Sequence, residues 1–159
     1  MGEIVPDLIV ILSFLGAVLA ALYARWAWYE AKRTNELSVH SNRMEIYRAL
    51  HNLRFSVQTH GAGIEAHHVA PFFHPSREAR FYFSNTETSQ KLAEYFDTCF
   101  DRIQCTRKLS RSNLSDADIQ KLHDEQDFLV EREQTLFREA EKQVEKELYG
   151  AVKPGSRFA

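Results

Sequence analysis

Four histidines, His60, His67, His68 and His74, fall within fifteen residues and share that stretch with Glu65. Imidazole and carboxylate are the groups by which proteins hold zinc, iron and related divalent ions, so metal chemistry would be found here. The spacing matches no established ligand motif. There is no His-Glu-x-x-His pair, no cysteine nearby and no second carboxylate at a helical interval. A metal site built on these four residues, serving a membrane-tethered sensor or enzyme, is therefore the alternative to a plain histidine-rich surface segment. His40 and His51 lie three turns apart on one helix and are too far separated to share an ion.

Other constellations that carry catalysis are absent from the sequence. His60-Gly61-Ala62-Gly63 holds a lone Gly-x-Gly, whose natural use is a turn rather than a phosphate cradle. No Ser or Cys sits in a nucleophile motif. Cys99 and Cys105, six residues apart on one helix, are separated by about 9 Å of rise and about 240° of rotation, too far for a bridge. Cys99 falls in an apolar stripe and reads as core, while Cys105 reads as semi-exposed. Glu141 and Glu145 alternate with Lys142 and Lys146 at the intervals of surface ion pairs. No cofactor is implied, and the chain reads as non-catalytic.

The elements that would position these residues begin with Leu8 to Ala24, an uncharged, apolar run followed at once by Arg25, Trp26, Trp28, Tyr29, Lys32 and Arg33. Seventeen helical residues cover about 26 Å, and continuation through Trp28 reaches the roughly 30 Å of a bilayer core. Five Leu, two Ile, two Val and one Phe favour insertion by about 3 to 6 kcal/mol in sum. A cleaved signal peptide is the competing reading, but such peptides open on basic residues and this segment opens on Glu3 and Asp7. Bases follow the run and none precedes it, so the positive-inside rule places the carboxyl-terminal side in the cytoplasm of a bacterium and the amino terminus outside its inner membrane. Arg25, Trp26, Trp28 and Tyr29 are the expected interface anchors. Gly16, Ala20 and Ala24 form a small-residue stripe that suits self-association or pairing with another membrane protein, a contact that a coiled coil beyond the membrane would extend.

Charge divides the remainder. Arg25 to Arg54 carries six bases against three Glu, which suits anionic lipid, whereas Asp116 to Tyr149 carries eleven acids against five bases and offers a docking face. A net charge of -2 argues against nucleic acid as a partner, since phosphates call for a basic surface.

Periodicity is helical throughout. Val39, Ile46, Leu50, Leu53 and Val57 continue a helix that should end at Gly61 and Gly63. Irregular chain or short helical turns follow to Phe83. Ser84-Asn85-Thr86-Glu87 predicts a capping box and a helix to about Leu109. Ser115-Asp116-Ala117-Asp118 caps a last helix that ends at Gly150, and 110–114 reads as a connector. The expected fold is all-α: a transmembrane helix continuing into a cytoplasmic antiparallel helical bundle. Its parts are 1–29 for the amino-terminal and membrane segment, 30–150 for the helical domain and 151–159 for a tail. Phe72, Phe73, Phe81, Tyr82, Phe83, Phe96, Phe100, Phe128 and Phe137 are expected to fill much of the core.

Met44-Glu45-Ile46-Tyr47-Arg48-Ala49-Leu50, Arg77-Glu78-Ala79-Arg80-Phe81-Tyr82-Phe83 and Lys91-Leu92-Ala93-Glu94-Tyr95-Phe96-Asp97 resemble segments of a loose group of small bacterial membrane-anchored helical proteins of unknown function. The resemblance spans roughly Met44 to Leu148. It implies a shared helical fold, names no reaction and carries over no catalytic residue. The expected function is accordingly a single-pass inner-membrane protein whose helical domain is an interaction or scaffold module. An oligomeric effector that disturbs the bilayer is the third reading, disfavoured because Ser13 is the span's one polar candidate for lining a pore.

Overall fold

The computed structural model describes residues 4–110 and 115–150. Among them every regular element is helical and none is a strand, so the chain is all-α. Helix α1 (Ile4–His60) is followed by a 3-10 turn at Gly61–Gly63, then α2 (Ala66–Val69), a second 3-10 turn at Ala70–Phe72, α3 (Phe73–Tyr82), α4 (Thr86–Leu109) and α5 (Asp116–Gly150). The chain divides into two compact units, one reaching Val39 and the other beginning at His40. The side chains at 28–38 remain exposed, and burial begins only with the half-buried Val39 and Asn42. The expected tail, 151–159, and most of the 110–114 connector lie outside the described residues.

In the first unit, α1 presents exposed side chains at 11–26 and 28–38. Among the described residues one helix is long and apolar enough to cross a membrane, and it is this one. Helix α1 meets no Gly or Pro from Ala17 to His60 and stops where Gly61 adopts φ +53°, a conformation that residues with a Cβ rarely take.

The second unit is closed by a core of its own. Ile46, Leu50, Leu53 and Val57 form the buried stripe of α1, at the expected four-three-four spacing. They pack with Val69 and Phe72, with Leu92, Tyr95, Phe96, Cys99 and Ile103 of α4, and with Leu136, Phe137, Ala140, Val144 and Leu148 of α5. Polar contacts fix the directions. Arg43 meets Glu147, Tyr47 meets Glu145 and Arg54 meets Glu133, so this part of α1 runs antiparallel to α5. Thr88 meets Glu147 and Arg102 meets Glu133, so α4 also runs antiparallel to α5. Helix α3 returns alongside α4, with Arg77 on Asp97 and Phe73 against Phe96.

The aromatic core is smaller than expected. Phe72, Phe83, Phe96 and Phe137 are buried, Tyr82 is half-buried, and Phe73, Phe81, Phe100 and Phe128 are exposed, Phe81 by 69%. The reason lies in α3. It approaches α4 through the small residues Ser76 and Ala79, which leaves Phe81 on its outer face and Phe73 at the edge of the contact, against Phe96 yet exposed. Pro75 sits in the first turn of α3, where its missing N–H costs no helical hydrogen bond, so it does not interrupt the helix.

The start of α4 departs from the local capping box. Asn85 is the N-cap, its Oδ1 accepting from Glu87 N–H at 3.0 Å. The carboxylate that reaches back is Glu147 of α5, which accepts from Ser84 N–H at 2.8 Å, Asn85 N–H at 3.2 Å and the Thr88 hydroxyl at 2.8 Å. Arg43 of α1 approaches the same carboxylate at 3.8 Å and donates through Nε to the Tyr82 carbonyl at 2.7 Å. One acid thus caps α4 and joins three helices. Glu147→Ala should cost about 1–2 kcal/mol of stability, the range for a lost helix cap or a stranded donor, read as a lower urea midpoint with unchanged slope.

Candidate functional site

Three regions carry groups able to act: the apolar end of α1, the histidine segment, and a charged cluster inside the second unit.

At the end of the apolar run the aromatic side chains form local pairs along α1. Tyr23 and Trp26 lie 5.9 Å apart between ring centroids, Trp28 and Tyr29 5.1 Å. The Arg25 guanidinium stands over the Tyr29 ring and the Lys32 ammonium over the Trp28 ring, each at 5.8 Å. Rings that are partly apolar, each with a cation above, suit a boundary where hydrocarbon gives way to headgroups. Gly16, Ala20 and Ala24 are exposed on the same helix.

Of the four candidate histidines the fold brings three together. His60 closes α1, the Gly61–Gly63 turn reverses the chain, and α2 returns His67 and His68. The His68 ring lies 3.9 Å from His60 and 3.8 Å from His67 between centroids. His74 has a different neighbour: its ring stands edge-on to Phe73. The His60 Nδ1 lies 2.9 Å from the Ser56 carbonyl, the His67 Nδ1 3.4 Å from the Glu65 carboxylate, and the His68 Nδ1 3.2 Å from the Glu65 N–H. Desolvation, followed by the neighbouring His60 and His67, lowers the pKa of His68. The rings are tilted to one another by 32° and 38°, and among the described residues no three His, Cys, Asp or Glu side chains are disposed to hold one ion.

The charged cluster was not anticipated from the sequence. Glu133, only 1% exposed, receives Arg54 of α1 at 2.7 Å on one carboxylate oxygen and Arg102 of α4 at 3.3 Å on the other. Arg54 also lies over the Phe137 ring, 5.0 Å from its centroid. Tyr95, fully buried beside them, has a hydroxyl that meets no hydrogen-bond partner among the described residues. Burial, with Cys99 and Glu133 nearby, drives its pKa upward. Burial likewise pushes the Cys99 thiol up to about 12. Reactants cannot reach groups enclosed this way, and a thiol and a phenol held protonated are poor nucleophiles. The cluster is therefore an internal clasp. Its signal in the sequence was Glu133 itself, an acid between Leu129 and Leu136 on the apolar stripe of α5.

Cys105 is buried too, against the expectation of a semi-exposed thiol. Helix α5 covers it, and its Sγ donates to the Leu122 carbonyl at 3.4 Å. With a pKa near 12, Cys99 is thiolate to only about one part in ten thousand at pH 8. Cys99 and Cys105 should therefore resist a thiol reagent in the native protein and react in full once urea unfolds it, a count that absorbance of the released thiolate provides.

The surface grooves are shallow. One of about 450 Å3 is lined by Arg43, Ser84, Asn85, Gln143, Lys146 and Glu147, and its central carboxylate is already engaged in capping α4. No protein-family model matches the chain, and neither a curated protein nor a solved structure matches it.

Proposed function

We propose that the chain is a single-pass protein of a bacterial inner membrane, its amino terminus outside, and that its helical unit is a non-catalytic interaction or scaffold module in the cytoplasm. The observation that supports this most is the segment 11–24. A run of exposed Leu, Ile, Val, Phe and Ala on one helix would be a heavy solvation cost in water and is the ordinary state of a lipid-facing span. Arg25, Trp26, Trp28 and Tyr29 then stand at the inner interface. The second unit buries both thiols and the Tyr95 hydroxyl and exposes charge, which suits docking better than turnover.

In this reading the bilayer is the first partner and confines the module to two dimensions, raising its effective concentration toward anything held in the same plane. Gly16, Ala20 and Ala24 provide a face along which a second span, from another copy or another membrane protein, packs closely. The exposed start of α5 provides the soluble contact: Asp116, Asp118, Asp124, Glu125, Asp127 and Glu131 against Lys121 and Arg132.

Cross-linking of the full chain in native membranes tests the module directly. A discrete adduct is expected, weakened when Asp124, Glu125 and Asp127 are changed to Lys and retained when Gly16 and Ala20 are changed to Leu. Loss of the adduct only with Gly16 and Ala20 would move recognition into the membrane. No adduct in either direction would remove the scaffold reading.

A further inference from the structure

Two exposed helix faces of the second unit have complementary chemistry. On α3, Phe73, Arg77, Arg80 and Phe81 recur at i, i+4, i+7 and i+8, one side of a helix, and all four are exposed. The Arg77 guanidinium stands over the Phe73 ring at 5.9 Å and the Arg80 guanidinium over the Phe81 ring at 4.6 Å, so each cation is held beside an apolar ring. Arg77 reaches Asp97 through one terminal nitrogen at 2.7 Å, which leaves its other donors to solvent. Arg80 meets no carboxylate among the described residues. Glu78 projects about 100° from Arg77 around the helix, off this stripe. Arginine beside exposed aromatic rings is the composition that dominates protein interfaces. On α5, Asp116, Asp124, Asp127 and Glu131 share the side of the helix opposite the buried Leu129 and Glu133. Phe128, 57% exposed, borders them. Each stripe is turned away from the core of its own unit, so the two meet only between chains.

We infer that the arginine and phenylalanine face of α3 docks on the acidic face of α5 in a second copy of this chain. Arg77 and Arg80 stand opposite Asp124, Asp127 and Glu131, and Phe73 and Phe81 cover the apolar surface of Phe128. The inference rests on α5 as the docking face of the scaffold and names what that face holds. Opposite signs bring the unlike faces together, while α5 against α5 sets acid on acid and α3 against α3 sets arginine on arginine. Exposed ion pairs contribute little one by one. The rings add apolar burial, and confinement of all copies to one membrane raises their effective concentration, so a contact of modest strength is enough.

The test is a charge swap between full chains reconstituted in phosphatidylcholine vesicles. One copy carries Glu78→Cys beside the α3 face, the other Gln120→Cys beside the α5 face, and a short membrane-permeant bismaleimide joins them. Cys99 and Cys105 are buried and stay silent. A cross-link between the two copies is expected, weaker when salt rises from about 0.05 M to about 0.5 M. Arg77→Glu with Arg80→Glu on the first copy should lower its yield about tenfold, and so should Asp124→Arg with Asp127→Arg on the second. Both pairs together, one on each copy, should restore it. All four substituted side chains are exposed, and the helicity of each variant is read before mixing. A yield indifferent to either reversal overturns the inference. So does a loss that the paired reversals fail to restore, or no cross-link at all. In those cases the adduct formed in native membranes still decides the scaffold reading separately: an adduct sensitive to α5 but not to α3 assigns the acidic face to a different protein.

Discussion

Glu133→Ala is expected to destabilise the helical unit by about 3–5 kcal/mol, the range for removing one partner of a buried ion pair, and to lower its melting temperature by more than about 10 °C. The carboxylate is 2% exposed as a side chain and lies between Arg54, 19% exposed, and Arg102, 11% exposed. Without it two guanidinium groups from different helices face each other with no counter-charge, and the Tyr95 hydroxyl keeps a cavity beside it instead of a carboxylate. Glu133→Gln retains the volume and one acceptor, so it should cost less than Ala yet still leave both arginines without a counter-charge. Arg54→Ala should fall below both, because Arg102 stays paired. The ordering Ala, Gln, then Arg54→Ala separates charge balance from packing, and thermal unfolding followed by circular dichroism measures it. Equal loss in all three would make the cluster a matter of packing alone. Replacing all three by Met, Leu and Met should be close to neutral or stabilising, since the desolvation of three charges is removed together with their attraction.

That cluster also marks where reading the sequence failed. Helix ends were legible wherever the signal was local: Gly61 in a left-handed conformation after α1 and Leu109 as the last residue of α4. The buried stripe Ile46, Leu50, Leu53 and Val57 was legible because a single helix face repeats it. What escaped was non-local. Glu147 caps α4 from 62 residues away, and Glu133 is paired by residues 79 and 31 positions distant, so no window on the chain contains both partners. Counting aromatics overstated the core, because Phe73 and Phe81 belong to a helix whose inner face is made of Ser76 and Ala79. The histidines were visible as a cluster, but which of them meet depends on the Gly61–Gly63 reversal. That reversal carries His67 and His68 back to His60, while His74 lies beyond, on α3.

Leu15→Arg combined with Leu19→Arg is expected to release the chain from membranes, recovered in the supernatant or as aggregate after alkaline carbonate extraction, whereas the unaltered chain stays in the pellet. Each Arg near the centre of a span costs about 2.5–3.5 kcal/mol, so the pair costs about 5–7, which matches or exceeds the 3–6 kcal/mol that the ten large apolar residues of the run contribute. Both positions are exposed on α1, so neither substitution opens a cavity or strands a partner within the protein. Leu15→Ala with Leu19→Ala is the control: it removes about 1 kcal/mol of apolar transfer and should leave the chain in the membrane. Moving the same two charges to Trp26 and Tyr29, where a headgroup boundary tolerates arginine, should also leave extraction unchanged. The contrast between 15/19 and 26/29 therefore places the centre and the edge of the span on the same helix. Release by both pairs would mean that α1 lies on a surface rather than through it, and release by neither would mean that a site elsewhere in the chain holds the protein to lipid.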